Sequence, residues 1–132
     1  MALLLTALEG ASDAFERGFI AYSKLPKCDL LGVSHSMIGN YGAVNEAVAR
    51  AMALGALARS NASLAIAITG FAGPAGPGDE AGLVHFACAL HGIASRHGVE
   101  HFGDIGRSPD RLPARGDARR YAGRRQAAAA CR

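Results

Sequence analysis

Tryptophan is absent from the 132-residue sequence, and aromatic residues make up only 6% of it. A nucleic-acid surface built on base–aromatic stacking is therefore not expected. Cysteine is scarce: Cys28, Cys88 and Cys131 are widely spaced and odd in number. No Cys-x-x-Cys pair or Cys/His cluster at zinc spacing occurs, so no metal site is expected and a reduced, cytoplasmic setting fits. No stretch approaches the roughly 18 consecutive apolar residues of a membrane-spanning helix. The start, Met1-Ala-Leu-Leu-Leu-Thr-Ala-Leu8, is apolar but has no charged segment before it. It reads as the end of a buried helix, closed at Gly10, and not as a signal peptide.

Half of the residues are hydrophobic and 19% are charged, which excludes wholesale disorder. The length suits one domain with a real core. Glycine is abundant at 17 residues, which implies tight turns or close backbone approaches. The net charge of +3 hides an asymmetry. Residues 1–106 hold 6 Lys/Arg against 9 Asp/Glu, whereas residues 107–132 hold 8 Arg against 2 Asp. The globular part is mildly acidic and the basic character belongs to the tail. Such a tail reads as a solvated, poorly ordered end, with nucleic acid or anionic lipid as its alternative partners.

Phe15 to Tyr22 is rich in aromatic and β-branched residues and predicts a strand. Residues 23–35, with Pro26, predict a loop holding at most a turn of helix. Asn45 is a candidate N-cap, and Val48, Met52, Leu54, Leu57 and Ala51/Ala58 fall near one helical face through Arg59, which predicts a helix over 45–60. Ser63 to Thr69 is a continuous apolar run of strand length, as expected for a strand covered on both faces, and Leu83 to Leu90 is a second apolar strand. Between them, Gly70 to Gly82 forms a loop with five glycines and two prolines. A short edge strand is expected at His101 to Ile105. The alternation of helix and buried strand argues for an α/β layered domain. From about Ser108 the pattern dissolves, so the domain is expected to span 1–111 and a poorly ordered Arg/Ala-rich tail 112–132.

Three constellations have chemical potential. Thr69-Gly70-Phe71-Ala72-Gly73-Pro74-Ala75-Gly76 follows a buried strand, and its glycines would let backbone N–H groups approach an anion. It is neither a Walker A loop nor a dinucleotide fingerprint, and it reads equally as an ordinary Gly/Pro connector. Tyr22 and Lys27 form a usable pair, in which the ammonium eases formation of a phenolate or the phenol orients a lysine base. The alternative is a half-buried tyrosine and a surface lysine. Arg107 and Arg111, after Gly103-Asp-Ile-Gly106, could grip a phosphate or carboxylate, or stand as solvated charges. The five histidines are scattered; His85, within an apolar strand, reads as a satisfied core or edge residue.

These pieces occur as ordered blocks: Gly18-Phe-Ile-Ala-Tyr-Ser23 with Lys27 and Leu30-Leu-Gly-Val33; Tyr41-Gly-Ala-Val-Asn-Glu-Ala-Val-Ala49; Ile66-Ala-Ile-Thr-Gly-Phe-Ala-Gly-Pro74; Gly82-Leu-Val-His-Phe86; and Phe102-Gly-Asp-Ile-Gly-Arg107 with Arg111. Over residues 1 to about 111 the chain resembles the C-terminal domain of the CinA family, the competence/damage-inducible proteins. The resemblance implies a three-layer α/β/α sandwich with a mixed central sheet. It implies hydrolysis of the carboxamide of nicotinamide mononucleotide to nicotinic acid mononucleotide and ammonia, without metal or organic cofactor. Tyr22 and Lys27 fall on the family's active-site Tyr and Lys. Thr69, Gly70, Gly73 and Gly76 fall on its substrate loop, and Arg107 and Arg111 on its phosphate-side arginines. Family members often dimerise, which implies a homo-oligomer.

The sequence also departs from the family pattern. The family's Glu-Ser-Cys-Thr-Gly-Gly segment, which supplies the serine nucleophile, does not occur in these 132 residues, and neither does its long amphipathic closing helix. The resemblance therefore implies that an N-terminal strand and the closing helix are missing. It further implies that catalysis is impaired, the alternatives being a non-catalytic nucleotide-binding or assembly subunit or a damaged remnant.

Overall fold

The Asn45 side chain starts the longest helix. Its Oδ1 accepts from the backbone N–H of Val48 at 2.9 Å, satisfying one of the donors that a helix start leaves unpaired. Its Nδ2 donates to the carbonyls of Tyr41 and Gly42 at 3.0 and 2.9 Å, tying the preceding turn to the cap. In the computed structural model, which describes residues 5–7, 9–71 and 76–102, this helix follows three shorter ones. The helices are α1 (Ala11–Ala14), α2 (Lys24–Leu31), α3 (His35–Tyr41) and α4 (Glu46–Ala58), and the strands are β1 (Leu64–Gly70), β2 (Leu83–Leu90) and β3 (Ile93–His101).

The helix expected over 45–60 and the strands expected at 63–69 and 83–90 are present within a residue or two of those bounds. Elsewhere the chain departs from expectation. Phe15 to Tyr22 joins no strand pair; it runs as connecting chain, packing Phe19 and Ala21 on the core and leaving Ile20 and Tyr22 exposed. Residues 24–31 form a complete helix where a loop was expected. Pro26 is its third residue, inside the first turn, where a missing N–H breaks no intrahelical bond. Gly32 closes it in the left-handed region at φ 68, with its N–H on the Cys28 carbonyl. The third strand begins at Ile93, well before the expected edge strand at 101–105; His101 is its last residue, and 103–105 lie outside the described residues. The tail from 112 also lies outside them.

The sheet runs in the order β1-β2-β3 with both pairings antiparallel. The fold is thus α/β, and no parallel pairing occurs among the described residues. Strand register sorts the side chains onto two faces. Ala65, Ala67 and Thr69 of β1, with His85, Ala87 and Ala89 of β2, face α4, because cross-strand partners share a face. Small residues there let the helix sit close: Ala67, Ala87 and Ala89 pack with Val48, Ala49, Met52, Ala53 and Leu57 of α4. Leu31 of α2, Val33 and Ile38 of α3 complete the core from the other side of α4. The opposite sheet face carries Leu64 and Ile66, 42% and 49% exposed.

Gly55 sets the contact between α2 and α4. A Cβ at this position would lie 1.8 Å from the Leu31 carbonyl oxygen, so only glycine allows the approach. Arg59 then donates to that same carbonyl at 3.2 Å, capping the end of α2.

Candidate functional site

Two polar or charged side chains are buried among the described residues, Lys27 and Thr69, and both lie in the blocks that carry the family resemblance. Lys27 is on the second turn of α2, only 6% exposed. Burial pushes its ammonium below the ordinary lysine range, because removal from water disfavours the charged form. Among the described residues no carboxylate forms an ion pair with it. It is therefore an amine poised toward its neutral, basic form.

Thr69, 3% exposed, is next to last in β1. Its Oγ1 donates to the Ala43 carbonyl at 2.8 Å, fastening the end of β1 to the turn ahead of the Asn45 cap. With its proton committed there, the hydroxyl oxygen is left to accept a hydrogen bond. That suits an N–H donor, such as a carboxamide, better than a phosphate oxygen.

Lys27 and Thr69 stand on elements that both pack against α4. Tyr22 is different: it precedes α2 on the connecting chain and is 77% exposed.

The glycine-rich segment connects antiparallel β1 and β2 as a long hairpin loop, not as a strand-to-helix turn. Its base is laddered: Phe71 N–H donates to the Leu83 carbonyl at 3.0 Å and Gly82 N–H to the Phe71 carbonyl at 3.1 Å. Gly70 has a packing reason of its own, since a Cβ would meet the Leu83 carbonyl oxygen and Val84 Cγ2 at 2.8 Å each. Gly76 opens a turn whose Asp79 N–H returns to the Gly76 carbonyl at 3.0 Å, with Gly78 at φ 89. Gly73, Arg107 and Arg111 lie outside the described residues.

A polar cluster that sequence reasoning missed lies on the same sheet face. His85 is the cross-strand partner of Thr69, and its Nδ1 is 2.9 Å from Nε2 of His97 on β3. The two rings are nearly parallel, with centroids 5.1 Å apart. His97 Nδ1 faces Glu46 Oε2 at 3.4 Å. Glu46 also accepts from Arg50 Nε at 2.8 Å, and Arg50 Nη1 reaches Ser95 Oγ at 3.1 Å and the Ser95 carbonyl. Desolvation and the adjoining His97 hold His85 below the ordinary histidine range. Arg50, foremost, and His97 hold the Glu46 carboxyl below its ordinary value. The signal available in sequence was Ser95-x-His97-x-Val99, a period-two set on the core side of a polar strand.

Among the described residues no three His, Cys, Asp or Glu side chains are arranged to hold a metal ion, and no helix is long and apolar enough to cross a membrane. Cys28 is half-buried and Cys88 buried.

Comparison with known proteins bears directly on these residues. A CinA-like protein of Mycolicibacterium vanbaalenii is 48% identical over 97 residues, 72% of this chain and 23% of its own length. A CinA-like protein of Akkermansia muciniphila is 44% identical over 94 residues, 70% of this chain and 23% of its own. The chain thus spans about a quarter of the length of such relatives. The crystal structure of a competence/damage inducible protein, CihA, from Agrobacterium tumefaciens superposes with a TM-score of 0.74 at 42% identity, covering 78% of this chain and 64% of that one. A CinA superfamily protein from Escherichia coli gives 0.70 at 39%, covering 76% and 59%. The profile of the CinA C-terminal domain matches residues 1–111, a span that holds Lys27, Thr69 and the glycine-rich hairpin. With sequence profile, relatives and solved folds in agreement, the chain belongs to the CinA C-terminal domain family.

Proposed function

We propose that this domain holds the site of a nicotinamide-nucleotide amidase, binding nicotinamide mononucleotide with its carboxamide toward Thr69 and Lys27. The observation that carries the reading is the buried Lys27, an amine displaced toward its neutral form inside a family domain. Amide hydrolysis adds water across the C–N bond and releases ammonia, so it needs a base to take a proton from the attacking oxygen. Lys27 suits that role, and the accepting oxygen of Thr69 suits the carboxamide N–H. Tyr22 beside α2 is assigned to orienting substrate or lysine. Gly70, Gly73 and Gly76 are assigned to the substrate loop, and Arg107 and Arg111 to the phosphate. No metal or organic cofactor enters the scheme. The ligand is a nucleotide, not a nucleic acid or a membrane, and the setting is cytoplasmic.

The serine-bearing Glu-Ser-Cys-Thr-Gly-Gly segment is not among these 132 residues. On the amidase reading a polypeptide of this sequence is therefore expected to bind the mononucleotide and to release ammonia slowly. The same observation favours a second reading, a non-catalytic nucleotide-binding or assembly subunit, for which the exposed apolar Leu64 and Ile66 offer a surface to a homo-oligomer. Calorimetry and ammonia release with nicotinamide mononucleotide separate the two. Turnover that disappears in Lys27→Met supports the amidase, binding without turnover supports the subunit, and no binding at millimolar ligand refutes both.

A further inference from the structure

The Glu46, His97 and His85 cluster has a direction. Glu46 Oε2 lies 3.4 Å from His97 Nδ1, and because a carboxylate can only accept, this ion-pair contact favours the His97 tautomer with its proton on Nδ1. Its Nε2 is then a bare lone pair, and His85 must donate Nδ1–H across the 2.9 Å contact. That leaves Nε2 of His85 as the open acceptor at the end of the chain of groups. Among the described residues no partner occupies it. His85 stands directly across the β1–β2 pair from Thr69, at the end of the sheet where the glycine-rich hairpin leaves.

We propose that Glu46, His97 and His85 form a one-proton relay that opens at His85 Nε2, beside Thr69, and stores the incoming charge on His97. A proton arriving at His85 Nε2 forms a new N–H bond there. The Nδ1–H bond of His85 breaks as its proton passes to His97 Nε2. His97 is then an imidazolium donating to Glu46 on one side and to the bare Nδ1 of His85 on the other. The charged groups facing the pair set how readily this happens. Glu46 favours the cation, while Arg50 from α4 and His101 from β3 oppose it. A charge held on His97 disfavours a second proton on His85.

The use of such a relay rests on the amidase reading: the attacking oxygen gives up a proton that the departing ammonia later needs, and the relay is one proton deep. Its existence does not depend on that reading. Two-bond proton–nitrogen correlation spectra of the intact chain test it. Both rings are expected as Nδ1–H tautomers before protonation, with the first added proton shared by the pair. Glu46→Gln is expected to weaken the first uptake roughly tenfold, equivalent to one pH unit. Nε2–H tautomers in both rings, or two independent titrations that ignore Glu46→Gln, overturn the relay. The wild-type tautomers decide the matter even where the variant fails to fold. A relay observed in a protein that neither binds nor hydrolyses nicotinamide mononucleotide sinks the amidase reading and leaves the relay standing; independent histidines alongside turnover do the reverse.

Discussion

Replacing Gly55 by alanine sets two effects of opposite sign against each other. Gly55 lies inside α4, where alanine is favoured over glycine by about 1 kcal/mol on helix propensity alone. The added methyl carbon, however, would lie 1.8 Å from the Leu31 oxygen and 2.8 Å from its carbonyl carbon. An ordinary carbon–oxygen contact is roughly 3.3 Å, so α2 and α4 would have to separate by about 1.5 Å. The obstacle is backbone, which cannot rotate aside as a side chain can. Separation would also draw out Leu31 and Val33, now 4% and 2% exposed, and weaken the Arg59 bond to the Leu31 carbonyl. Overpacking of this kind costs about 1–3 kcal/mol beyond any propensity gain. We expect Gly55→Ala to be destabilised by about 2 kcal/mol, a fall in Tm of roughly 8–15 °C for a domain of this size. Gly39 is the control: it is helical, and a Cβ there meets nothing within 4 Å. Gly39→Ala should match wild type or gain up to about 1 kcal/mol. Thermal and urea denaturation followed by circular dichroism measures both. A Gly55→Ala protein as stable as wild type would refute the packing account of α2 against α4.

Lys27→Met should raise stability near neutral pH. The native pKa of Lys27 is lowered below its unfolded value, so the unfolded chain binds more protons between the two, and native stability rises with pH through that window. The advantage of the methionine variant should therefore shrink as pH climbs toward the ordinary lysine value; an advantage that does not change with pH speaks against a buried charge. Thr69→Val keeps the shape but removes the donor to Ala43, and should cost about 1 kcal/mol, largely restored by Thr69→Ser. Equal unfolding midpoints for the valine and serine variants would count against that hydrogen bond.

The parts of the fold that announced themselves in sequence are those where local chemistry and tertiary role coincide. The Asn45 cap, the α4 face and the two apolar strands each state their structure in consecutive residues. Pro26 misled because a proline in the first turn of a helix and a proline in a loop look alike until the helix is seen to close at Gly32. Phe15 to Tyr22 misled in the other direction: its alternation of half-buried Phe19 and Ala21 with exposed Ile20 and Tyr22 resembles a strand, but it forms no strand ladder among the described residues. β3 was hard to see because its core-side positions are Ser95 and His97, polar residues satisfied by Arg50, Glu46 and His85. A polar network is legible only once the partners from other elements are known. Lys27 and Thr69 were singled out by their side-chain chemistry and then by family pattern; their burial is a tertiary fact that no spacing discloses.

That burial is itself an argument about why they are there. A partly desolvated ammonium opposes folding, and an apolar side chain of similar length would pack in the same space without that cost. The position on α2 is otherwise built for stability: Leu31 and Val33 are core, Gly32 closes the helix, and Arg59 and Gly55 are fitted to its last carbonyl. A segment so closely packed around a group that destabilises it is better explained by what the amine does than by what it holds together. Thr69 points the same way more weakly, since its hydroxyl has a structural bond to Ala43 and only its remaining acceptor capacity is open to a ligand. If the two act on one carboxamide, Lys27→Met should gain stability and lose function, whereas Thr69→Val should lose some of both. A stabilised Lys27→Met protein that still binds and turns over nicotinamide mononucleotide like wild type would leave the buried amine without a purpose.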